Sequence, residues 1–137
     1  MKELIEIQQE LNVPKNRHNT FGKYKYRSCE DIVEAVKPLC ASRGCALTLS
    51  DDVIEVGGRV YVRASAQLSK GSDKVTVYGW AREAETKKGM DDAQITGSAS
   101  SYARKYALNG LFAIDDTKDA DATNTHDEKV TNDDFKI

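Results

Sequence analysis

Residues 59–68, RVYVRASAQL, alternate without a break: Val60, Val62, Ala64 and Ala66 face one way, and Tyr61, Arg63, Ser65 and Gln67 the other. A period of two rules out a helix and describes a strand buried on one face and wet on the other. Turn signals bound the run, with Gly57-Gly58 before it and KGSD at 70–73 after it. A two-glycine step between apolar runs marks a tight antiparallel hairpin. Upstream, CALTLS at 45–50 alternates as a strand and Val53–Val56 forms a second short extended piece, with Asp51-Asp52 read as a turn between them. Downstream, residues 74–84 return with Val75, Val77, Gly79 and Ala81 on one side. The pattern predicts an antiparallel meander of three to four strands with one apolar face to cover.

Helices at both ends can cover it. Leu4, Ile7 and Leu11 share one side of residues 3–12, and Pro14 ends that pattern; the stripe needs a partner, either the chain's own core or a neighbouring subunit. Ser28 followed by Asp31 reads as an N-cap with an acid in the first turn. Ile32, Val33, Val36, Leu39 and Cys40 then form an apolar face that stops at Arg43-Gly44, and Pro38 predicts a kink or break inside it. A last helix starts after Asp91-Asp92 and runs to about Leu108, with Asn109-Gly110 as its stop. The expected fold is α+β, an antiparallel β-meander packed with helices on one face of the sheet. It occupies residues 1–114, followed by a polar, acidic tail over 115–137 expected to lack structure.

The formal net charge of −2 hides a division. Residues 1–114 hold 17 basic and 14 acidic side chains, whereas residues 115–137 hold 3 and 8. A mildly basic body with an acidic tail suits an anionic partner despite the acidic whole. No apolar run approaches the ~18–20 residues of a membrane-spanning helix, and acids at Glu3, Glu6 and Glu10 interrupt any signal-peptide pattern, so no membrane role is expected. Three cysteines, Cys29, Cys40 and Cys45, make an odd number without a C-x-x-C pair, and the histidines, His18 and His126, are far apart. Small apolar packing explains the thiols better than zinc or nucleophilic chemistry does. No G-x-x-x-x-G-K-[ST] loop is present, so use of ATP through such a loop is not supported.

Two segments carry candidate chemistry. KNRHNTFGKYKYR at 15–27 holds Lys15, Arg17, Lys23, Lys25 and Arg27 without an acid, interleaved with Phe21, Tyr24 and Tyr26. Cations that track phosphates beside rings that stack on any base suit single-stranded nucleic acid; a solvated basic loop whose tyrosines pack inward is the alternative. In the last helix Ala93, Thr96, Gly97, Ser98, Ala99, Ser100 and Ala103 keep much of the surface small, so another backbone can come close. Tyr102 and Tyr106 share a face, and Arg104-Lys105 are expected to turn away from it. The plain alternative is close helix–sheet packing with two core tyrosines and a solvated Arg-Lys pair.

Together NTFGKYKYRSCEDIVEAVKPLCASRG near the start and KGMDDAQITGSASSYARKYALNGLFAI near the end, followed by DDTKDADA, resemble the ERF family, the phage "essential recombination function" single-strand annealing proteins. The resemblance covers most of residues 12–122. It implies a DNA-recombination protein, not an enzyme, of the bacterial host's cytoplasm. Such a protein binds single-stranded DNA and anneals complementary strands without ATP or another cofactor, working as a homo-oligomeric ring or filament. It also implies a fold similar to the annealing domain of the eukaryotic recombination mediators, and a phage or host single-strand-binding protein or exonuclease as partner. The family motif falls on Phe21, Tyr24, Tyr26 and Arg27, and on Gln94, Gly97, Ser98, Tyr102, Ala103, Arg104 and Tyr106. With the basic patch, the expected DNA-binding residues are Arg17, Lys23, Tyr24, Lys25, Tyr26, Arg27, Tyr102, Arg104 and Lys105, with no metal ligand. The chain departs from the family at Lys105, where a second arginine is usual, and at Cys29 and Cys40, where other small or aliphatic residues are. It is also short for the family, so a separate C-terminal module is expected to be missing. A protective single-strand-binding protein is the rival function, and a small nuclease a third. The end of the tail, THDEKVTNDDFKI, is a solubilising segment, a docking tip weakly similar to those of bacterial single-strand-binding proteins, or an acidic competitor for the basic groove.

Overall fold

A computed structural model describes residues 1–83, 92–115 and 119–120. The elements in chain order are α1 (Lys2–Glu10), β1 (Arg17–Asn19), β2 (Tyr24–Tyr26), α2 (Cys29–Arg43), β3 (Ala46–Val56), β4 (Arg59–Lys70), β5 (Asp73–Arg82), α3 (Asp92–Phe112) and β6 (Asp119–Ala120). The architecture is α+β, with antiparallel sheets in the order β3-β4-β5 and β1-β2-β6. The meander has three strands rather than four. Asp51 and Asp52 do not turn the chain but continue β3, opposite Ala64 and Arg63 of β4. Two adjacent acids are tolerated in mid-strand because each carboxylate meets an arginine, Asp51 meeting Arg104 and Asp52 meeting Arg63. The hairpin between β3 and β4 is the expected two-glycine turn, with Gly57 and Gly58 at φ 60° and 78°.

Val62, Ala64, Ala66 and Leu68 of β4 are buried, and α3 lies on the face they form, across β4 and β5. The small residues of α3 serve close packing. Ala99, Ala103 and Ala107 are buried against the sheet, and a Cβ placed on Gly79 of β5 would lie 2.3 Å from the Ala103 carbonyl oxygen and 2.4 Å from the Ala107 nitrogen. Helix backbone therefore rests almost directly on strand backbone. The helix runs through Asn109-Gly110 and ends only at Ala113, which takes a left-handed φ of 55°. The extra turn buries Leu111 and Phe112, an apolar gain that outweighs the helix-breaking pair.

The N-cap of α2 is the expected one. Ser28 Oγ accepts from the Asp31 amide at 3.1 Å, and Asp31 accepts in return from the Ser28 amide at 2.8 Å. Pro38 does not break α2, which continues to Arg43. The apolar stripe of α1 is seated on the chain's own core, with Ile7 fully buried and Leu4 and Leu11 packed beside it. Gln8 Nε2 donates to the Leu111 carbonyl at 2.8 Å, and Arg43 of α2 pairs with Glu6 at 3.1 Å and with Glu10. This packing takes up the stripe that would otherwise serve a neighbouring subunit; of the apolar residues of α1, Ile5 points outward. Among the described residues no helix is long and apolar enough to cross a membrane. Most of the acidic tail lies outside the described residues, but Asp119 and Ala120 pair with Lys25 and Tyr24 of β2.

Candidate nucleic-acid interface

The basic segment folds into a short hairpin. Asn19 organises its turn: its Oδ1 accepts from the Gly22 amide at 2.8 Å, and its Nδ2 donates to the Tyr24 hydroxyl at 3.0 Å. Lys23 sits in the turn with a left-handed φ of 56°, and Phe21 stands at the tip, 99% exposed. Strand alternation in β2 separates the exposed Lys25 from the half-buried Tyr24 and Tyr26. These two rings lie 6.0 Å apart, tilted by 60°.

Between this hairpin and α3 lies a cleft of about 420 Å³. Its rings are Tyr24 and Tyr26 from one wall and Tyr102 and Tyr106 from the other. Among the described residues its cations are Lys15, Lys25, Arg27 and Lys105, against one lining carboxylate, Glu30; Lys15 also pairs with Asp115 at 3.9 Å. Tyr102 and Tyr106 are 50% and 43% exposed, with ring centroids 6.3 Å apart. They are not core tyrosines. Lys105 does not turn away from them: it lines the same cleft, its Nζ 5.7 Å from the Tyr26 ring centroid. A second hollow of about 410 Å³ lies on the other side of the tyrosine pair and shares Ser98, Tyr102 and Tyr106 with the first. Its far wall is built by Trp80, Ala81 and Arg82 of β5.

The predicted arginines are held in different settings from the lysines. Arg17 grips Asp31 with Nε at 2.8 Å and Nη2 at 3.1 Å. That grip, with the Ser28 bonds against a smaller opposing effect of burial, holds the Asp31 carboxyl down at about 2. Arg27 donates from Nε to the Val13 carbonyl at 2.8 Å and from Nη1 to the Asp115 carbonyl, tying the approach to β1 to the exit from α3. Arg104 grips Asp51 with Nε at 3.0 Å and Nη2 at 3.1 Å, and Ser100 Oγ donates to the same carboxylate at 2.5 Å. Burial pushes the Asp51 carboxyl up, but the hydrogen bonds from Arg104 and Ser100 outweigh it and leave it below its ordinary value. Of the nine predicted residues, Tyr24, Lys25, Tyr26, Arg27, Tyr102 and Lys105 share the cleft; Arg17, Lys23 and Arg104 lie outside its lining.

Cys29 also lines the cleft, and burial pushes its thiol pKa up, which disfavours the thiolate a nucleophile needs. Among the described residues no group of three His, Cys, Asp or Glu side chains could hold a metal ion. Sequence reasoning missed Asp51, Trp80 and Arg82. The outward phase of β5, with Tyr78 and Trp80 alternating against Val77 and Gly79, was the signal for Trp80.

Comparison with known proteins adds the lineage. A protein of Salmonella phage P22, named essential recombination function protein, is 59% identical over 118 residues. The aligned part is 86% of this chain and 57% of that relative, so the chain spans little more than half of the relative's length. No solved structure matches the chain. The ERF superfamily profile matches residues 1–136, and the chain belongs to that superfamily.

Proposed function

We propose that the chain binds single-stranded DNA and promotes ATP-independent annealing of complementary strands during phage homologous recombination. It does so as an oligomer in the cytoplasm of the infected cell, by binding rather than by catalysis. The observation that carries the reading is the cleft between the hairpin and α3, where four tyrosine rings lie among four cations and one lining carboxylate. Rings accept any base by stacking, and cations hold the backbone, so the combination favours a single strand without demanding a sequence. The name of the P22 relative supports the recombination role.

Annealing needs no motor in this scheme. Cations neutralise the repulsion between two strands, and a strand held by its backbone keeps its pairing edges open to a second. Each matched step then releases about 1.4 kcal/mol, so a dozen steps drive pairing downhill. One cleft spans few nucleotides, so several copies side by side are required to keep a strand extended. On this reading the fold plays the part of the annealing domain in the eukaryotic mediators, and a single-strand-binding protein or exonuclease of phage or host delivers the strand.

The test is fluorescence-quenched annealing of two complementary oligonucleotides with EDTA present and ATP absent, across protein concentration. Acceleration over the spontaneous rate is expected. Tight binding with no acceleration would make the chain a protective single-strand-binding protein.

A further inference from the structure

Trp80 is the chain's one tryptophan, and its indole is 49% exposed. It stands on β5 opposite Arg63 of β4, on the sheet face that α3 does not cover. The Arg63 guanidinium lies 5.6 Å from the Trp80 ring and 4.9 Å from the Tyr78 ring, and Asp52 holds it at 2.6 Å. An arginine stacked on an aromatic face and anchored by a carboxylate fixes the orientation of the ring. The indole is thus both outward and pre-set, which lowers the entropy lost when something else stacks on it.

Its position is continuous with the cleft. Trp80 and Arg82 line the second hollow, and that hollow meets the cleft at Ser98, Tyr102 and Tyr106. We propose that Trp80 is a base-stacking residue. A single strand that lies in the cleft continues over Tyr102 and Tyr106, through the second hollow and around the β5 edge of the sheet, where a nucleobase stacks on the indole and Arg82 meets the backbone. The proposal rests on the single-strand-binding reading and extends its path past α3 to the edge of the sheet. An aromatic and a cation at the β5 rim of the hollow repeat the combination found in the cleft, which favours a strand over an apolar protein partner.

Because no other tryptophan is present, red-edge emission of the full-length chain reports on this residue alone. A fluorescein-labelled oligothymidylate titrated at low salt gives binding by anisotropy, and the unlabelled oligothymidylate titrated under the same conditions gives the state of Trp80 by emission without energy transfer to a dye. The expected result is a loss of emission that saturates with the anisotropy. Trp80→Ala, checked for native circular dichroism, should bind roughly 5- to 100-fold more weakly, and Trp80→Phe should recover most of the loss. The emission arm uses the parent protein and does not depend on the variants folding. Saturating anisotropy with unchanged emission, and parent-like binding by Trp80→Ala, would overturn the proposal and leave the single-strand reading standing. Absence of any anisotropy change would overturn both. Emission that follows protein concentration alone and ignores the oligonucleotide would assign the face to a second copy of the chain, and the proposal would fall.

Discussion

The height of α3 above the sheet is the dimension on which the cleft depends, and Gly79 sets it. In a Gly79→Ala protein the added methyl would meet the Ala103 carbonyl oxygen at 2.3 Å, the Ala107 nitrogen at 2.4 Å and the Tyr106 carbonyl carbon at 3.0 Å. All three are backbone atoms, so no side chain can swing aside. Ordinary carbon–heteroatom contact requires the helix to rise by about 1 Å, and a gap of that size forfeits up to about half of the dispersion well along the Ala99–Ala103–Ala107 seam. Overpacking costs about 1–3 kcal/mol where side chains can adjust; rigid backbone places this case at or above the upper end. For a domain of this size, ~3 kcal/mol lowers the melting temperature by about 10 °C. Gly97→Ala provides the control, since nothing lies within 4 Å of its Cβ position on the same helix. Replacing a helical glycine at an open position should stabilise by about 1 kcal/mol. The assay is thermal and urea unfolding followed by circular dichroism on both variants and the parent. Opposite signs are expected from one chemical change. A Gly79→Ala protein that melts at or above the parent would refute the close approach, and with it the account of why α3 is made of small residues.

Three further outcomes separate structural from binding roles. Lys105→Ala should weaken oligonucleotide binding and lower the salt slope by about 0.7 without moving the melting temperature, whereas Arg104→Ala should lower the melting temperature by removing the partner of Asp51; salt titrations and melts of the two single variants distinguish them. Asp31 titrates at about 2 in the folded chain against an ordinary 3.8, so its ion pair and cap stabilise the fold fully above that ordinary value and are lost as pH falls through about 2. Stability of Asp31→Asn should therefore fall less steeply than the parent's over that window, and a carboxyl NMR titration centred near 3.8 would remove the effect. Ala113→Gly should raise stability by about 1 kcal/mol in urea unfolding, because glycine carries no penalty at the left-handed φ of 55° that ends α3.

What the sequence made legible was what depends on period and local chemistry. The strict alternation in β4, the two-glycine hairpin, the Ser28 cap and the Tyr–Lys alternation of β2 are all written in neighbouring residues. What it concealed depends on residues far apart in the chain. Asp51-Asp52 looks like a turn until Arg104, 53 residues on, is placed beside it. Asn109-Gly110 looks like a stop until the burial of Leu111 and Phe112 is counted. The same blindness lumped all the cations of the basic segment together. Local composition shows that Arg17 and Arg27 are charged, but not that one grips Asp31 and the other two backbone carbonyls.

The case of Arg104 and Lys105 shows how one helix reconciles these demands. Successive residues on a helix are about 100° apart around its axis. With Ala99, Ala103 and Ala107 fixed on the sheet by Gly79, the residues one step earlier, Ser98, Tyr102 and Tyr106, must face the cleft. Those one step later, Ser100 and Arg104, must face β3, where Asp51 receives both. Lys105 lies a further step around and returns to the cleft side, beside Tyr102. Adjacent cations therefore have separate tasks: Arg104, with its planar fork, braces the helix against β3, and Lys105, with its flexible stem, serves the cleft. An arginine at the second position would keep the charge in the cleft but could also stack flat on Tyr26, whereas lysine offers a point charge 5.7 Å from that ring. On the proposed function, Lys105→Arg should then tighten binding to single strands while leaving the salt slope unchanged, since the number of neutralised phosphates is the same. Parent-like affinity at the same slope would mean that residue 105 acts through phosphate alone and that the ring beneath it plays no part.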